Sequence, residues 1–470
     1  MYLQLRDYLR DRIISGDLPP GSQLTPERRL AAELGVDRNT VSNAYGELYA
    51  EGLIEGHVGR GTFVKELPLC CRVDARPLPW IDYFGGVRAH EPDGIYGLSL
   101  REDLMSFACG VVESSLYPNR AIQKAMEKVL RTDSMVALKM SPVEGHGAFR
   151  VVLTDLMREA GVETSPENIM VTNGVQQGLD LLSRAFINKG DTVVVAKPSY
   201  VGAVGMFEAA GAYVDAIPLD DEGMQLDALE RVIRSRQPTF IYTVPNFNNP
   251  TGVLMSAQRR EKLLALARRY QVPLVEDNPH GDLYFEEAPP PPLKAIDDHG
   301  HVIYLSSFSK TIAPGMRLGW MVAPRPVIKR LGNLKLYADM HTNTLLQCAV
   351  AEFIQSGGYA EHLTYLRQQL AHNRRTIERA LITHIGERFA WSIPAGGMYV
   401  WCQLPPNITA EALHTEALKQ HITFATGPGF YPENGGGEHA FRLTFGTLTP
   451  EEIEEGIVRL AHALDAVTIA

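Results

Sequence analysis

Cysteine is scarce in this 470-residue chain, and the five present (Cys70, Cys71, Cys109, Cys348 and Cys402) form no C-x-x-C pair. An odd, scattered set of thiols supplies neither a disulfide framework nor a zinc cluster, so a reducing cytoplasm is expected and a metal centre is not. Long apolar runs are missing too, and nothing approaches the roughly 20 residues needed to cross a bilayer. The opening MYLQLRDYLRDRII interleaves charge with apolar residues and lacks the apolar stretch of a secretion signal. An excess of positive charge is absent, the formal net charge being −10. Any contact with nucleic acid must then come from a local arrangement of basic side chains. No internal repeat stands out.

What is present divides along the chain. At roughly 150 residues per domain, the length predicts two to three domains. Residues 1–66 form a first block. Residues 67–104 carry Pro68, Pro77, Pro79, Pro92 and Gly85-Gly86 and read as a linker. Its aromatics Trp80, Tyr83 and Phe84 either dock part of it on a surface or ride on a disordered tether. Over 105–324, short apolar runs alternate with helical stretches such as 175–187 and 257–270. The candidate strands are 169–172, 192–196, 213–217, 240–244, 274–277, 302–306 and 318–322. That alternation predicts a mostly parallel sheet covered on both faces. Over 325–470 the texture changes to long helices (345–355, 359–381) followed by short strands, which predicts a smaller α+β domain.

In the first block, Leu5, Leu9 and Ile13 give one apolar helical face, ended by Gly16 and Pro19-Pro20. Thr25-Pro26-Glu27 reads as an N-cap followed by proline at the first helical position, and that helix stops at Gly35. Asp37 can cap a third helix with Val41, Ala44, Tyr45 and Leu48 facing inward and Arg38, Asn39 and Thr40 exposed at its start. Two short helices joined by a glycine-containing turn make a helix-turn-helix, whose second helix lies in the major groove. A hairpin follows, 53–55 and 62–64, with Gly56, Gly59, Gly61 and Arg60 at a tip able to approach DNA. With eight Arg and Lys against ten Asp and Glu in residues 1–66, overall charge does not argue for DNA binding. The argument rests on where Arg28, Arg38 and Arg60 fall.

The second constellation lies in the strand–helix region. Ser307-Phe308-Ser309-Lys310 follows a strand, and Arg317 comes seven residues later within P-G-x-R-L-G. A lysine that forms a Schiff base must be held rigidly and partly desolvated so that its amine can be neutral. One lysine after a strand is usually only solvated; this pairing of motifs is far more specific. Asp277 ends the strand PLVED, where a carboxylate can pair with a pyridinium nitrogen, although an isolated aspartate there is more often a cap. Gly174-Val175-Gln176 opens a helix after a strand, where free N–H groups bind phosphate. Tyr200 follows the next strand and can stack on an aromatic ring. Asn249, in N-N-P-T-G, can donate to a phenolic oxygen. Every piece sits at a strand's C-terminal end, where open α/β sheets bind ligands.

Two resemblances follow from these residues. PPGSQLTPERRLAAELGVDRNTVSNAYGELYAEGLIEGHVGRGTFV resembles the GntR-type winged helix. That likeness implies DNA contacts by Arg28, Arg38 and the wing glycines, with Thr40 on backbone phosphate. From about Met105 onward, the S-x-S-K, PLVED and N-N-P-T-G motifs resemble fold-type I enzymes dependent on pyridoxal 5′-phosphate (PLP), especially the α-aminoadipate and kynurenine aminotransferases. The likeness implies Lys310 as the Schiff-base lysine, Asp277 as partner of the pyridine nitrogen, Asn249 as ligand of the ring oxygen and Tyr200 as the stacking ring. Gly174, Val175, Gln176, Ser307, Ser309 and Arg317 would form the phosphate cup. Arg442, in F-R-L-T-F, would grip a substrate α-carboxylate, a task suited to a guanidinium fork. Two positions depart from the family pattern. His280 stands where a tyrosine commonly supports the ring oxygen, and Met140 stands where a tyrosine commonly reaches the neighbouring subunit's phosphate.

The order of the two parts resembles the MocR/GabR family of bacterial transcription regulators. It implies a multidomain chain: an N-terminal winged helix, a large α/β domain of the fold-type I PLP-dependent transferase class, and a smaller C-terminal α+β domain. It also implies a head-to-tail homodimer on a double-stranded operator, sensing PLP or an amino compound, with weak or absent transaminase activity. A working aminotransferase acting on an amino acid and a 2-oxo acid is the alternative. A scaffold that binds DNA without cofactor is a third reading, against which the complete phosphate-cup set argues.

Overall fold

A computed structural model of the chain describes residues 1–57, 60–65, 101, 103–432 and 435–469. They fall into two compact units, with residues 1–65 in the first and residue 101 onward in the second. The expected linker, with Trp80, Tyr83 and Phe84, lies almost entirely outside the described residues, as does Gly59.

The first unit is three helices and a hairpin. Helix α1 (Tyr2–Ile14) buries Leu9 and Ile13 against α3 (Arg38–Ala50), which buries Val41, Ala44, Tyr45 and Leu48. Helix α2 (Glu27–Leu34) ends at Gly35, whose φ of +63° suits glycine. The expected α2 cap shifts by one residue. Pro26 occupies the cap position and its carbonyl accepts from Arg29 and Leu30. The Thr25 carbonyl instead accepts from the Tyr45 hydroxyl at 2.7 Å, tying the entry of α2 to α3. Asp37 does cap α3, its carboxylate accepting from Asn39 N at 2.7 Å. Strands β1 (Ile54–His57) and β2 (Gly61–Val64) pair antiparallel as the wing, with Ile54 opposite Val64. A third extended segment, invisible to periodicity, bridges the wing at Gln23 and Phe63.

In the second unit, β4 (Ile169–Thr172), β5 (Thr192–Lys197), β6 (Tyr213–Asp220), β7 (Gly223–Met224), β8 (Phe240–Thr243), β9 (Leu274–Asp277), β10 (Val302–Ser307) and β11 (Gly319–Val322) form one sheet in the order β4-β11-β10-β9-β8-β5-β6-β7. The run β10-β9-β8-β5-β6 is parallel, while β11 is antiparallel to both its neighbours. Alternate residues feed opposite cores. Val193 and Val195 pack with Leu179, Leu182 and Phe207 on one face, and Val194 and Ala196 pack with Leu229, Leu263 and Ala267 on the other. Both faces are thus covered, which is why these strands read as unbroken apolar runs. The parallel order brings the ends of β5, β8, β9 and β10 to one edge.

A five-stranded sheet follows, in the order β12 (Ala390–Trp391), β13 (Tyr399–Gln403), β15 (Ala440–Thr444), β14 (Ile422–Thr426) and β3 (Met105–Phe107). Strand β3, which is absent from the expected strands, runs parallel to β14, so residues 105–107 belong to this C-terminal sheet although the sequence reading starts the large domain there. The division expected at 324/325 is also displaced. Ile328 and Leu331 of helix Arg325–Ala338, and Val350 and Phe353 of helix Thr344–Gln355, lie in cores under the large sheet. The core of the smaller part begins near Leu366 of helix Gly358–His384. A change of texture in sequence is not where the cores divide, because apolar helix faces carry no label of the sheet they cover. Among the described residues no helix is long and apolar enough to cross a membrane.

Candidate functional site

On the winged helix, Arg28 is exposed on α2, and Arg38 and Asn39 are exposed at the start of α3, while Thr40 is half-buried. Arg38 Nη2 lies 3.5 Å from Glu27 Oε2, across the first turns of α2 and α3. An exposed pair of this kind contributes little and is easily exchanged for another anion. Arg60 is exposed at the wing tip, and its carbonyl accepts from Gln23 Nε2 at 2.7 Å. Gly61 has a φ of +107°, and a Cβ there would meet that Nε2 at 2.7 Å.

In the second unit, the strand ends bring together the residues expected from the motifs. Asp277, at the end of β9, is 2 % exposed, and its Oδ2 accepts from the Tyr242 hydroxyl at 2.7 Å. Its Oδ1 is buried and has no hydrogen-bond partner among the described residues. Burial is the main cause that pushes its carboxyl up to about 7, with Glu276 adding to the rise and Tyr242 and Lys310 opposing it. Lys310, just beyond β10, donates from Nζ to the Gly110 carbonyl. Desolvation brings its amine down to about 8, so a substantial fraction is neutral near physiological pH.

The phosphate-cup candidates also converge. Gly174 precedes helix Val175–Phe186 with a φ of +82° and no side-chain cap, so the first amides of that helix are not taken by a capping side chain. A Cβ on Gly174 would meet Arg317 Nη2 at 2.8 Å. Arg317 itself is left-handed (φ +47°) and donates from Nη2 to the Asn173 carbonyl at 2.9 Å. Gly319 permits β11 to pass close by, since a Cβ there would lie 2.9 Å from the Gly174 Cα. Ser307 is buried at the end of β10, and Ser309 N donates to Ser307 Oγ at 3.4 Å. Tyr200 donates to Gln176 Oε1 at 3.2 Å, which joins the ring candidate to the cup.

Arg442, on β15, reaches the same place. It is 4 % exposed and donates from Nη1 to Asn249 Oδ1 at 2.7 Å and from Nη2 to the Ala108 carbonyl. Its guanidinium lies over the Tyr399 ring at 4.4 Å and the Phe430 ring at 5.0 Å. His280 is 1 % exposed and meets Tyr399 edge-on at 5.2 Å, and among the described residues neither of its ring nitrogens has a hydrogen-bond partner. Burial, with Lys310 and Arg442 adding to it, holds its imidazole well below the ordinary range, so it is neutral. Met140 is 67 % exposed, well outside this cluster's interior.

Sequence reasoning missed the segment Ala108–Gly110, whose carbonyls take the two cationic side chains, and Tyr242, which fixes Asp277. Neither announces itself: Tyr242 sits among core residues of β8, and Ala108–Gly110 acquires its place only because β3 joins the distant β14.

Chemically, the cluster offers a partly neutral amine, a buried carboxylate oxygen awaiting a donor, a helix start for an anion, and a buried guanidinium. This set fits PLP: the open Oδ1 of Asp277 matches a protonated ring nitrogen, and the Gly174 turn beside Arg317 matches a phosphate.

The chain matches the family model for aminotransferase class I and II over residues 103–460 and that for bacterial regulatory proteins of the gntR family over residues 1–64. It is 34 % identical to the HTH-type transcriptional regulator YdfD of Bacillus subtilis, across 98 % of this chain and 95 % of that protein. It is 28 % identical to the probable rhizopine catabolism regulatory protein MocR of Rhizobium meliloti, across 99 % and 94 %. Among solved structures, LysN, an α-aminoadipate aminotransferase of Thermus thermophilus complexed with N-(5′-phosphopyridoxyl)-L-leucine, superposes with a TM-score of 0.79 at 34 % identity, covering 83 % of this chain and all of that one.

Proposed function

We propose, for a chain that belongs to the MocR class of regulators, a GntR-type winged helix fused to a class I and II aminotransferase domain, that it controls transcription by sensing PLP or an amino compound in its aminotransferase-like unit. The observation that carries the sensing half is the open Oδ1 of Asp277, buried beside Lys310 and within one cluster with Arg442. A buried carboxylate oxygen without a donor is costly unless something supplies one.

PLP, when bound, supplies an electron sink in its protonated ring. The protein's own part is positioning. Lys310 would provide the amine that holds the cofactor, and Asp277 Oδ1 would accept from its protonated ring nitrogen. Gly174, Val175, Gln176, Ser307, Ser309 and Arg317 would hold the phosphate, and Tyr200 would stack on the ring. Because Arg442 takes the Asn249 Oδ1, the amide N–H groups of Asn249 are the ones left to donate to the ring oxygen. Arg442 takes a carboxylate of the effector, exchanging its bond to Ala108 for a bidentate pair. His280, neutral and without the acidic hydroxyl of a tyrosine, orients the cofactor less firmly, which favours binding over turnover.

On the DNA side, Arg28, Arg38, Asn39, Thr40, Gly59, Arg60 and Gly61 form the contact set, with α3 in the major groove and the wing beside it. The operator-bound form is a head-to-tail homodimer. Four large apolar side chains exposed within residues 130–140 (Leu130, Met135, Leu138 and Met140) support a subunit contact there.

A working aminotransferase is the second reading, favoured by the joint retention of Lys310, Asp277 and Arg442 in one buried cluster. The two are separated by adding a panel of amino compounds while recording the cofactor's absorbance, with footprinting upstream of the protein's own gene. The regulator reading expects a spectral change and a protected operator without release of a keto acid; steady turnover without a protected site would sink it.

A further inference from the structure

Behind the phosphate-cup candidates lies a charged pair that the motifs do not include. Lys335, on helix Arg325–Ala338, is wholly buried, and its Nζ donates to both oxygens of Asp339, at 2.7 and 2.8 Å. Asp339 caps the C-terminus of that helix, where the helix dipole disfavours a negative charge. A buried ion pair is also a weak source of stability compared with apolar side chains of similar size. The stabilising role alone therefore gives little reason for a carboxylate at this point.

Its other contacts supply one. Asp339 Oδ2 accepts from Asn173 Nδ2 at 2.6 Å and from Gln177 Nε2 at 2.7 Å. Gln177 Oε1 in turn accepts from Asn173 N at 2.9 Å, and the Asn173 carbonyl accepts from Arg317 at 2.9 Å. Asn173 and Gln177 flank the turn Gly174–Gln176. One carboxylate thus grips both sides of the turn, and through the Asn173 carbonyl it also fixes the guanidinium. With the side chains of Asn173 and Gln177 engaged behind the turn, neither is free to fold over the open helix start at Gly174.

We propose that Lys335 and Asp339 are positioning residues for the phosphate-binding turn: the pair holds residues 173–177 and Arg317 in the shape that receives a phosphate ester. This rests on the reading of that turn as the phosphate cup. Neither residue is among those assigned to the cofactor; both would act through Asn173, Gln177 and Arg317.

The test compares PLP with pyridoxal, which has the same aldehyde and ring but no phosphate, on the full-length protein. Asp339→Asn leaves an acceptor but removes the charge that orders Lys335. Lys335→Met/Asp339→Leu replaces the pair with apolar side chains of similar size and keeps the fold if the single variant does not. By analogy with residues that orient the ligands of a bound group, the expected loss of PLP affinity is about 10- to 100-fold. Pyridoxal affinity should stay within about threefold of wild type, and the phosphorus resonance of bound PLP should shift and broaden. Equal losses for PLP and pyridoxal would assign the pair a purely structural role and overturn the proposal, as would unchanged PLP affinity in both variants. If wild-type protein itself showed no preference for PLP over pyridoxal, the phosphate-cup reading would fail instead, and the proposal with it.

Discussion

Replacing Asp277 by asparagine separates what this carboxylate does for a cofactor from what it costs the fold. In the folded protein without cofactor, burial pushes its carboxyl up to about 7. In the unfolded chain it titrates at about 3.9. The folded state therefore keeps a proton that the unfolded state has already lost, so stability falls as pH rises from about 4 to about 7 and levels off above. A shift of about 3 units corresponds to about 4 kcal/mol in all, of which roughly 3 kcal/mol falls between pH 5 and pH 8. Asparagine cannot ionise, and its side-chain oxygen can still accept from Tyr242. The variant without cofactor should then match wild type below about pH 4 and exceed it by about 4 kcal/mol at pH 8, with roughly 3 kcal/mol of that gain appearing between pH 5 and pH 8. Glu276, also pushed up to about 7 by burial, titrates in both proteins, so the difference between them isolates Asp277. Urea unfolding of the cofactor-free proteins at pH 5 and pH 8, followed through the transition of the larger unit, reads this directly. With PLP present the order should reverse, because only the carboxylate can pair with a protonated ring. Identical pH dependence in the two cofactor-free proteins would refute the burial argument.

Other perturbations probe the remaining parts. Arg38→Ala should weaken specific operator binding by about 1–3 kcal/mol if the side chain reads a guanine edge. If it contacts phosphate instead, binding to all sequences should weaken and the salt slope should fall by about one, as fluorescence anisotropy at several salt concentrations would show. His280→Tyr combined with Met140→Tyr should raise any residual amino-transfer half-reaction, measured by stopped-flow absorbance; an unchanged rate would place the obstacle elsewhere, for example at Arg442. In the winged helix, Leu48→Ala should lower stability by about 2–5 kcal/mol, because Leu48 is fully buried where α1 and α3 meet the wing. Thermal unfolding of a fragment covering the first unit would be ambiguous, so the loss is best read as reduced hydrogen-exchange protection of α3 in the whole chain.

Much of this was legible in the sequence for one physical reason: the large sheet is covered on both faces, so its strands appear as apolar runs closed by polar residues. Thr172, Asp277 and Ser307 each end a strand, and the parallel topology places such ends at one edge. Asp37, Gly35 and the inward face Val41, Ala44, Tyr45 and Leu48 were readable from capping chemistry and helical period. Other features depend on contacts distant in sequence. Strand β3 pairs with β14 across more than 300 residues, and only that pairing brings the carbonyls of Ala108 and Gly110 to Arg442 and Lys310. Nothing in MSF announces the pairing. Tyr242 and Lys335 look like ordinary core and helix residues, because periodicity reports burial and not the partner met inside. The α2 cap went to Pro26 because Tyr45 claims the Thr25 carbonyl, a tertiary contact that a local motif does not encode.

The central claim is that one chain couples an amino compound at Lys310 to DNA at α3. The most direct measurement is the affinity of the full-length, PLP-loaded protein for the protected DNA upstream of its own gene. It would be taken with and without the amino compound that changes the cofactor's absorbance, in wild type and in Lys310→Ala. The account predicts that the compound changes wild-type affinity by about 5- to 150-fold, the usual range of coupling between sites, and that Lys310→Ala binds DNA without responding. Turnover of about 1 s⁻¹ or more, as in working enzymes, with DNA affinity indifferent to the compound, would contradict it.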